Sequence, residues 1–135
     1  MTNSFDADVI VVGAGPAGSC AAIAAARAGK SVILIERGPF PGSKNMYGGV
    51  VYPRILDELA PSWWETAPAQ RWVVKRSTML LSDTGALNVD FRAGSWGRPP
   101  YNGATAYRPD FDNWLAERAV EAGARLVCST TVTGL

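Results

Sequence analysis

The chain has 135 residues, 47% of them hydrophobic, with thirteen basic and twelve acidic side chains and a net charge of +1. That is an ordinary globular composition, enough for one modest core, and the absence of a basic stripe or tail argues against nucleic acid as a partner. There is no histidine, which excludes a histidine base, a Ser-His nucleophile pair and histidine metal ligands.

Two cysteines, Cys20 and Cys128, stand far apart, so neither a disulfide framework nor a CxxC site is legible, and the expected setting is cytoplasmic. No apolar run approaches the roughly 18 residues of a spanning helix. The alanine-rich stretch from Cys20 to Ala26 is cut by Arg27, and Asp6 and Asp8 stand where a secretory leader would be basic.

In chain order, Ala7 to Val12 is a short β-branched run ending in glycine, which predicts a buried parallel strand. The small residues from Ala17 to Ala28, closed by Gly29, predict a helix. Ser31 to Ile35 predicts a second strand, followed at once by Glu36. From Arg37 to Tyr52 the prolines and glycines predict a long loop. Pro53 to Ala60 predicts a short helix, and Arg71 to Phe91 a β-hairpin split at Ser82-Asp83-Thr84-Gly85. Residues 94–109, rich in proline and glycine, predict loop. Phe111, Trp114, Leu115, Ala119 and Ala122 fall at helical spacing before Gly123, and Arg125 to Val132 predicts a last strand.

The motif that sets the class is Gly13-Ala14-Gly15-Pro16-Ala17-Gly18, with Ala22 four residues later and Glu36 eighteen residues later. Gly13 permits a tight exit from the strand, Gly15 lets the backbone approach a pyrophosphate, and Gly18 with Ala22 lets the helix sit close to the sheet. The helix N-terminus offers N–H groups and partial positive charge to a diphosphate. Glu36, at the end of the second strand, is placed to accept from adenosine ribose hydroxyls, and its charge disfavours the 2′-phosphate of NADP. Strand, turn, helix, strand and acid in this order predict an α/β fold with a Rossmann-type βαβ unit over residues 7–36. A loop and hairpin insertion is expected over 37–107, and a helix and strand over 108–133.

FAD and NAD share this fingerprint, and the rest of the chain separates them. The Gly-Pro-Ala-Gly turn, Glu36-Arg37, the segment Pro41-Gly42-Ser43-Lys44-Asn45-Met46-Tyr47-Gly48-Gly49 and the block Tyr107-Arg108-Pro109-Asp110-Phe111-Asp112-Asn113-Trp114-Leu115 resemble the geranylgeranyl-reductase-like flavoproteins. Within that group the likeness is greatest to FixC-type electron-transfer flavoprotein:quinone oxidoreductases, and it runs over nearly the whole chain. Geranylgeranyl reductases tend to carry a cysteine in the loop where this chain has Met46 and Tyr47, a departure that weighs against prenyl reduction.

The resemblance implies FAD as cofactor and this chain as the N-terminal part of a larger flavoprotein fold. It implies that Arg108 lies near FAD and meets a phosphate; the alternative is a surface arginine paired with Asp110 or Asp112. That pair of acids reads as helix-capping, without chemistry. Gly48 and Gly49 either pass close to the flavin ring or form a simple turn. Lys44 and Asn45 either contact the flavin or its pyrophosphate or are solvated. Arg37 either flanks the adenine or is solvated. The main chain at Val132 is expected to reach the adenine from a strand, with its side chain in the core.

Trp63 and Trp64 read as satellite packing with one ring exposed, and Cys20 as a small buried hydrophobe. The implied function is electron passage from an electron-transfer flavoprotein to a quinone or a ferredoxin-like acceptor, in the cytoplasm, with peripheral contact to the inner face of the membrane left open. The alternatives are a flavin-dependent isoprenoid reductase and a non-catalytic dinucleotide-binding module.

Overall fold

The computed structural model describes residues 6–134. They form two compact units, one built from the chain up to Gly48 together with Tyr107 onward, the other from Gly49–Ala106.

The first unit contains the predicted βαβ. Strand β1 (Val9–Val12), helix α1 (Pro16–Arg27) and strand β2 (Val32–Ile35) follow one another, and strands β1 and β2 pair in parallel with Val9 opposite Val32. Helix α3 (Arg108–Glu121) leads into β8 (Arg125–Val127), which pairs in parallel with β2 to give the sheet order β1-β2-β8. Alternation along the strands separates the faces. Val32 and Leu34 are buried on the face that carries α1 and α3, whereas Ile10 and Val12 on the opposite face are 60% and 59% exposed. Ile23, Leu34 and Leu115 are shut off from solvent, and each such side chain contributes roughly 1.5–3 kcal/mol by its burial.

Strand β8 is shorter than expected, and Val132 does not lie in it. Ser129 turns into the left-handed region at φ 54°, which ends the extended run. The Ser129 N–H then donates to the Gly38 carbonyl at 2.8 Å and the Thr130 N–H to the Glu36 carbonyl at 3.0 Å. The segment is thereby drawn onto the residues that follow β2, instead of continuing a ladder.

The second unit holds two strands in segments expected to be loop, β3 (Gly48–Val51) and β7 (Ala104–Tyr107). Strand β7 is central to the sheet order β3-β7-β4, with β4 (Arg71–Trp72) antiparallel to it. Its side chains alternate, Ala104 and Ala106 inward, but alanine carries little β signal. The glycines that open β3 carry none. The predicted hairpin is β5 (Arg76–Leu81) with β6 (Ala86–Phe91), closed where the Ser82 N–H donates to the Gly85 carbonyl at 2.8 Å. Beside its open end, hydrogen bonds from Ser77, Lys75 and Asn88 hold the exposed Asp90 carboxyl at a pKa of about 2.

Trp63 and Trp64 lie on a 3-10 turn, Trp63–Glu65, after the short helix α2 (Leu56–Leu59). Trp63 is 2% exposed and donates its indole N–H to Asp57 at 2.9 Å. It packs edge-on against Trp72, which stacks on Tyr101 with 3.9 Å between ring centres. The packing role expected of Trp63 and Trp64 is what they have, but neither ring is exposed, Trp63 being buried and Trp64 half-buried.

Both cysteines are half-buried, and burial pushes each thiol above its ordinary pKa. At Cys128 the Glu36 charge adds to that rise. Because the thiolate is the nucleophile, both should alkylate with iodoacetamide at least severalfold more slowly than a free cysteine at pH 8. Peptide mass spectrometry over a time course checks this.

Candidate functional site

Three segments of the first unit meet at the glycine-rich turn. Gly13 leaves β1 at φ 97°, donating its N–H to the Ile35 carbonyl at 2.7 Å. Gly18 has no space for a side chain, because a Cβ there would stand 1.9 Å from the Gly13 carbonyl oxygen. Helix α1 starts at Pro16 with Gly15 as its N-cap and no side-chain cap. The N–H groups of Ala17 and Gly18 therefore open the helix toward an anion, with the dipole behind them.

Glu36 follows β2 directly and is 7% exposed. Its Oε2 accepts from the Ala14 N–H at 3.0 Å and its Oε1 from the Gly38 N–H at 2.7 Å, while Lys44 forms an ion pair with Oε1. Burial alone would push this carboxyl up. The hydrogen bonds from Lys44, Gly38 and Ala14 outweigh it and hold the group below its ordinary value of 4.5.

A lowered pKa means that the ionised carboxylate stabilises the fold above the ordinary value, and that this contribution is lost as pH falls through the lowered one. Wild type should therefore lose thermal stability more steeply than Glu36→Gln below about pH 4.5. Melting curves of the two at stepped pH measure it, and parallel curves would refute it.

The loop after Glu36 is placed by two glycines. Gly38 lies where a Cβ would meet the Ser43 hydroxyl at 2.1 Å and the Lys44 amine at 2.9 Å. Gly42, at φ 83°, lies against the start of α3, where a Cβ would stand 2.8 Å from both the Arg108 carbonyl oxygen and Pro109 Cα. The Arg108 N–H donates to the Tyr47 carbonyl at 3.0 Å. Gly38 was missed in the sequence; its signal was a glycine two residues after the acid.

Arg108 is brought over the glycine turn, its Nη2 3.8 Å from where a Cβ would stand on Gly15. Its Nε donates to Asp112 Oδ1 at 2.7 Å and its Nη2 to Oδ2 at 2.9 Å. Arg108 is thus paired with Asp112, but not as a surface pair, since the Asp112 side chain is 0% exposed and that of Arg108 27%. Asp112 is not a cap either. Helix α3 starts at the N-cap Tyr107 without a side-chain cap, and Asp110 lies in its first turn, where its charge suits the dipole. Asn45 is directed at the same carboxylate, donating to Asp112 Oδ2 at 3.1 Å.

Gly13, Glu36, Arg37, Lys44, Thr130 and Val132 help to line a cleft of about 320 Å³ at the ends of β1 and β2. That lies within the ~300–1,000 Å³ range of small-molecule sites. Val132 reaches this cleft from irregular backbone. Thr130 and Thr131, also on its wall, were not singled out in the sequence. Gly48 and Gly49 open strand β3 instead of forming a turn.

The profile of the FAD dependent oxidoreductase family matches residues 8–135. The chain belongs to the FAD-dependent oxidoreductase family. Protein FixC of Rhizobium meliloti (strain 1021) is 38% identical over 128 residues, covering 95% of this chain and 29% of the relative. Protein FixC of Escherichia coli (strain K12) is also 38% identical over 128 residues, at 95% and 30%. Among solved structures, a geranylgeranyl bacteriochlorophyll reductase-like protein from Thermoplasma acidophilum superposes with a TM-score of 0.77 at 28% identity, over 95% of this chain and 31% of its own. The chain spans about three-tenths of the length of the curated relatives it matches.

The residues of the turn fit the cofactor of this family. The side-chain-free turn at Gly13, Gly15 and Gly18, the uncapped start of α1 and the acid at the strand end match the ADP half of FAD in shape and charge. Among the described residues no helix is long and apolar enough to cross a membrane, and no group of acids and cysteines is arranged to hold a metal ion.

Proposed function

We propose that the protein is a flavoenzyme whose first unit binds the ADP half of FAD, and that it passes electrons from an electron-transfer flavoprotein to a quinone or ferredoxin-like acceptor. The observation that carries the cofactor reading is Arg108. A cation 90 residues along the chain from Gly18 lies 3.8 Å from the Gly15 Cβ direction, where a diphosphate on the helix start would meet it.

In this reading Gly13, Gly15, Pro16, Ala17 and Gly18 form the diphosphate cradle and Arg108 closes it. Glu36 accepts from a ribose hydroxyl through the Oε2 lone pair that Ala14 leaves free, Gly38 and Lys44 taking those of Oε1. Arg37 and the main chain at Val132 border the adenine. Lys44 acts through Glu36 and Asn45 through Asp112. Gly48 and Gly49 carry the chain onward toward the flavin ring. Bound FAD supplies the redox chemistry; the residues of this chain orient it and fix its adenosine end.

The electron-transfer reading is supported by the 38% identity to the FixC proteins and by the Ser43-Lys44-Asn45 and Gly48-Gly49 segment that resembles them. Reduction of isoprenoid double bonds is the second reading, favoured by the Thermoplasma acidophilum relative. The test uses the protein purified at its natural length. Anaerobic mixing with a reduced electron-transfer flavoprotein should bleach its flavin absorbance within seconds. An unchanged flavin band, together with turnover of a geranylgeranyl lipid, would overturn the electron-transfer reading. A colourless protein that takes up NAD would overturn FAD.

A further inference from the structure

The Asp112 carboxylate joins two parts of the site that are otherwise separate. With both oxygens it holds the Arg108 guanidinium over the glycine turn, and with Oδ2 it accepts from Asn45 in the loop between Pro41 and Gly48. It is closed to solvent, so its charge must be met by these partners. Arg108 has five N–H donors, of which two are used on Asp112, leaving three for another anion. The loop is further fastened to the start of α3 through Gly42 and through the Arg108 N–H on the Tyr47 carbonyl.

Resting on the FAD-site reading above, we infer that Asp112 is a positioning residue that couples diphosphate binding at Arg108 to ordering of the loop between Pro41 and Gly48. An anion on the free donors of Arg108 fixes the guanidinium plane. A planar, bidentate pair transmits that orientation to the carboxylate, and the carboxylate in turn sets the acceptor that holds Asn45. Restricting Arg108 lowers the further entropy cost of fastening the loop, the usual source of cooperativity between two ordered groups. Asp112 touches no reacting atom; it acts through Arg108 and Asn45.

The second route from ligand to loop, through Glu36 and Lys44, is driven by the ribose and not by phosphate. ADP compared with adenosine therefore isolates the Asp112 route. Neither probe carries a flavin ring, so direct flavin contact with the loop is absent.

The experiment is amide hydrogen exchange of the loop peptides in the natural-length apoprotein, alone and saturated with adenosine or ADP, with binding confirmed by titration. In wild type, ADP should slow exchange around Asn45–Gly48 about fivefold or more beyond adenosine. Asp112→Asn and, separately, Asn45→Ala should reduce that extra protection to under twofold at saturating ADP. Asn45→Ala leaves the buried Arg108–Asp112 pair in place and so answers the question even where Asp112→Asn folds poorly. Full extra protection in Asn45→Ala, or none in wild type that binds ADP, overturns the inference alone. A wild type that binds neither probe overturns the FAD-site reading and the inference with it.

Discussion

Gly18→Ala should destabilise the protein despite improving helix propensity. Alanine gains about 1 kcal/mol over glycine inside a helix. Its Cβ would nevertheless stand 1.9 Å from the Gly13 carbonyl oxygen, 3.1 Å from the Gly13 carbonyl carbon and 3.4 Å from Val11. The carbonyl cannot give way freely, because Gly13 is held to the Ile35 carbonyl and the adjacent Ala14 N–H to Glu36. Relief must come from moving α1 off the sheet, which costs about 3 kcal/mol, at the upper end for an overpacked site. The net loss is then about 2 kcal/mol or more, with FAD affinity lowered at least tenfold as the helix start shifts. Denaturant unfolding and flavin titration of the variant measure both. Unchanged stability would mean that helix and strand are not in contact at this turn.

Arg108→Ala should be the most damaging single change to the site. It strands the buried Asp112 carboxylate, to which Asn45 still donates. Removing one partner of a buried pair typically costs about 3–5 kcal/mol. The side chain of Arg108 is 27% exposed, so water screens part of the pair and the lower end, about 3 kcal/mol, is expected. Pairing it with Asp112→Leu removes the stranded charge and should recover most of the stability. FAD affinity should stay low in both variants, since the guanidinium is gone. That split separates the structural role of Arg108 from its ligand role. Recovery of binding in the double variant would remove Arg108 from the cofactor site.

The βαβ unit was legible because its signals are local. β-Branched runs at Val9–Val12 and Val32–Ile35, the glycines between them and Glu36 each state their role within a few residues. Strands β3 and β7 were not legible, because Gly48-Gly49 and Ala104-Thr105-Ala106 gain their extended form from pairing with distant partners. The end of β8 was misread for a related reason. Arg125 to Val132 is apolar enough for a long strand, yet hydrogen bonds from Ser129 and Thr130 to Gly38 and Glu36 override the pattern.

The site shows the same division. Gly13, Gly15, Gly18, Glu36 and Arg108 were singled out by spacing and resemblance, and the structure brings Glu36 and Arg108 to the glycine turn. The Lys44–Glu36 pair was not singled out, because ion pairing across a loop leaves no local signature, and Asp112, named beside Asp110 as a partner of Arg108, was expected in a surface pair and not a buried one. Asp112, four residues after Arg108, had the right spacing for a helical pair. A capping role looked simpler at a helix start until Asp112 was seen closed to solvent beneath the guanidinium.

The central claim is that the turn, Glu36 and Arg108 together hold the ADP half of FAD. A crystal structure of the natural-length protein with FAD bound tests it most directly. The diphosphate should lie on the Ala17 and Gly18 N–H groups within hydrogen-bond distance of Arg108, with an adenosine ribose hydroxyl on the Glu36 carboxylate. A diphosphate away from the start of α1, or a ribose that leaves Glu36 uncontacted, would contradict it.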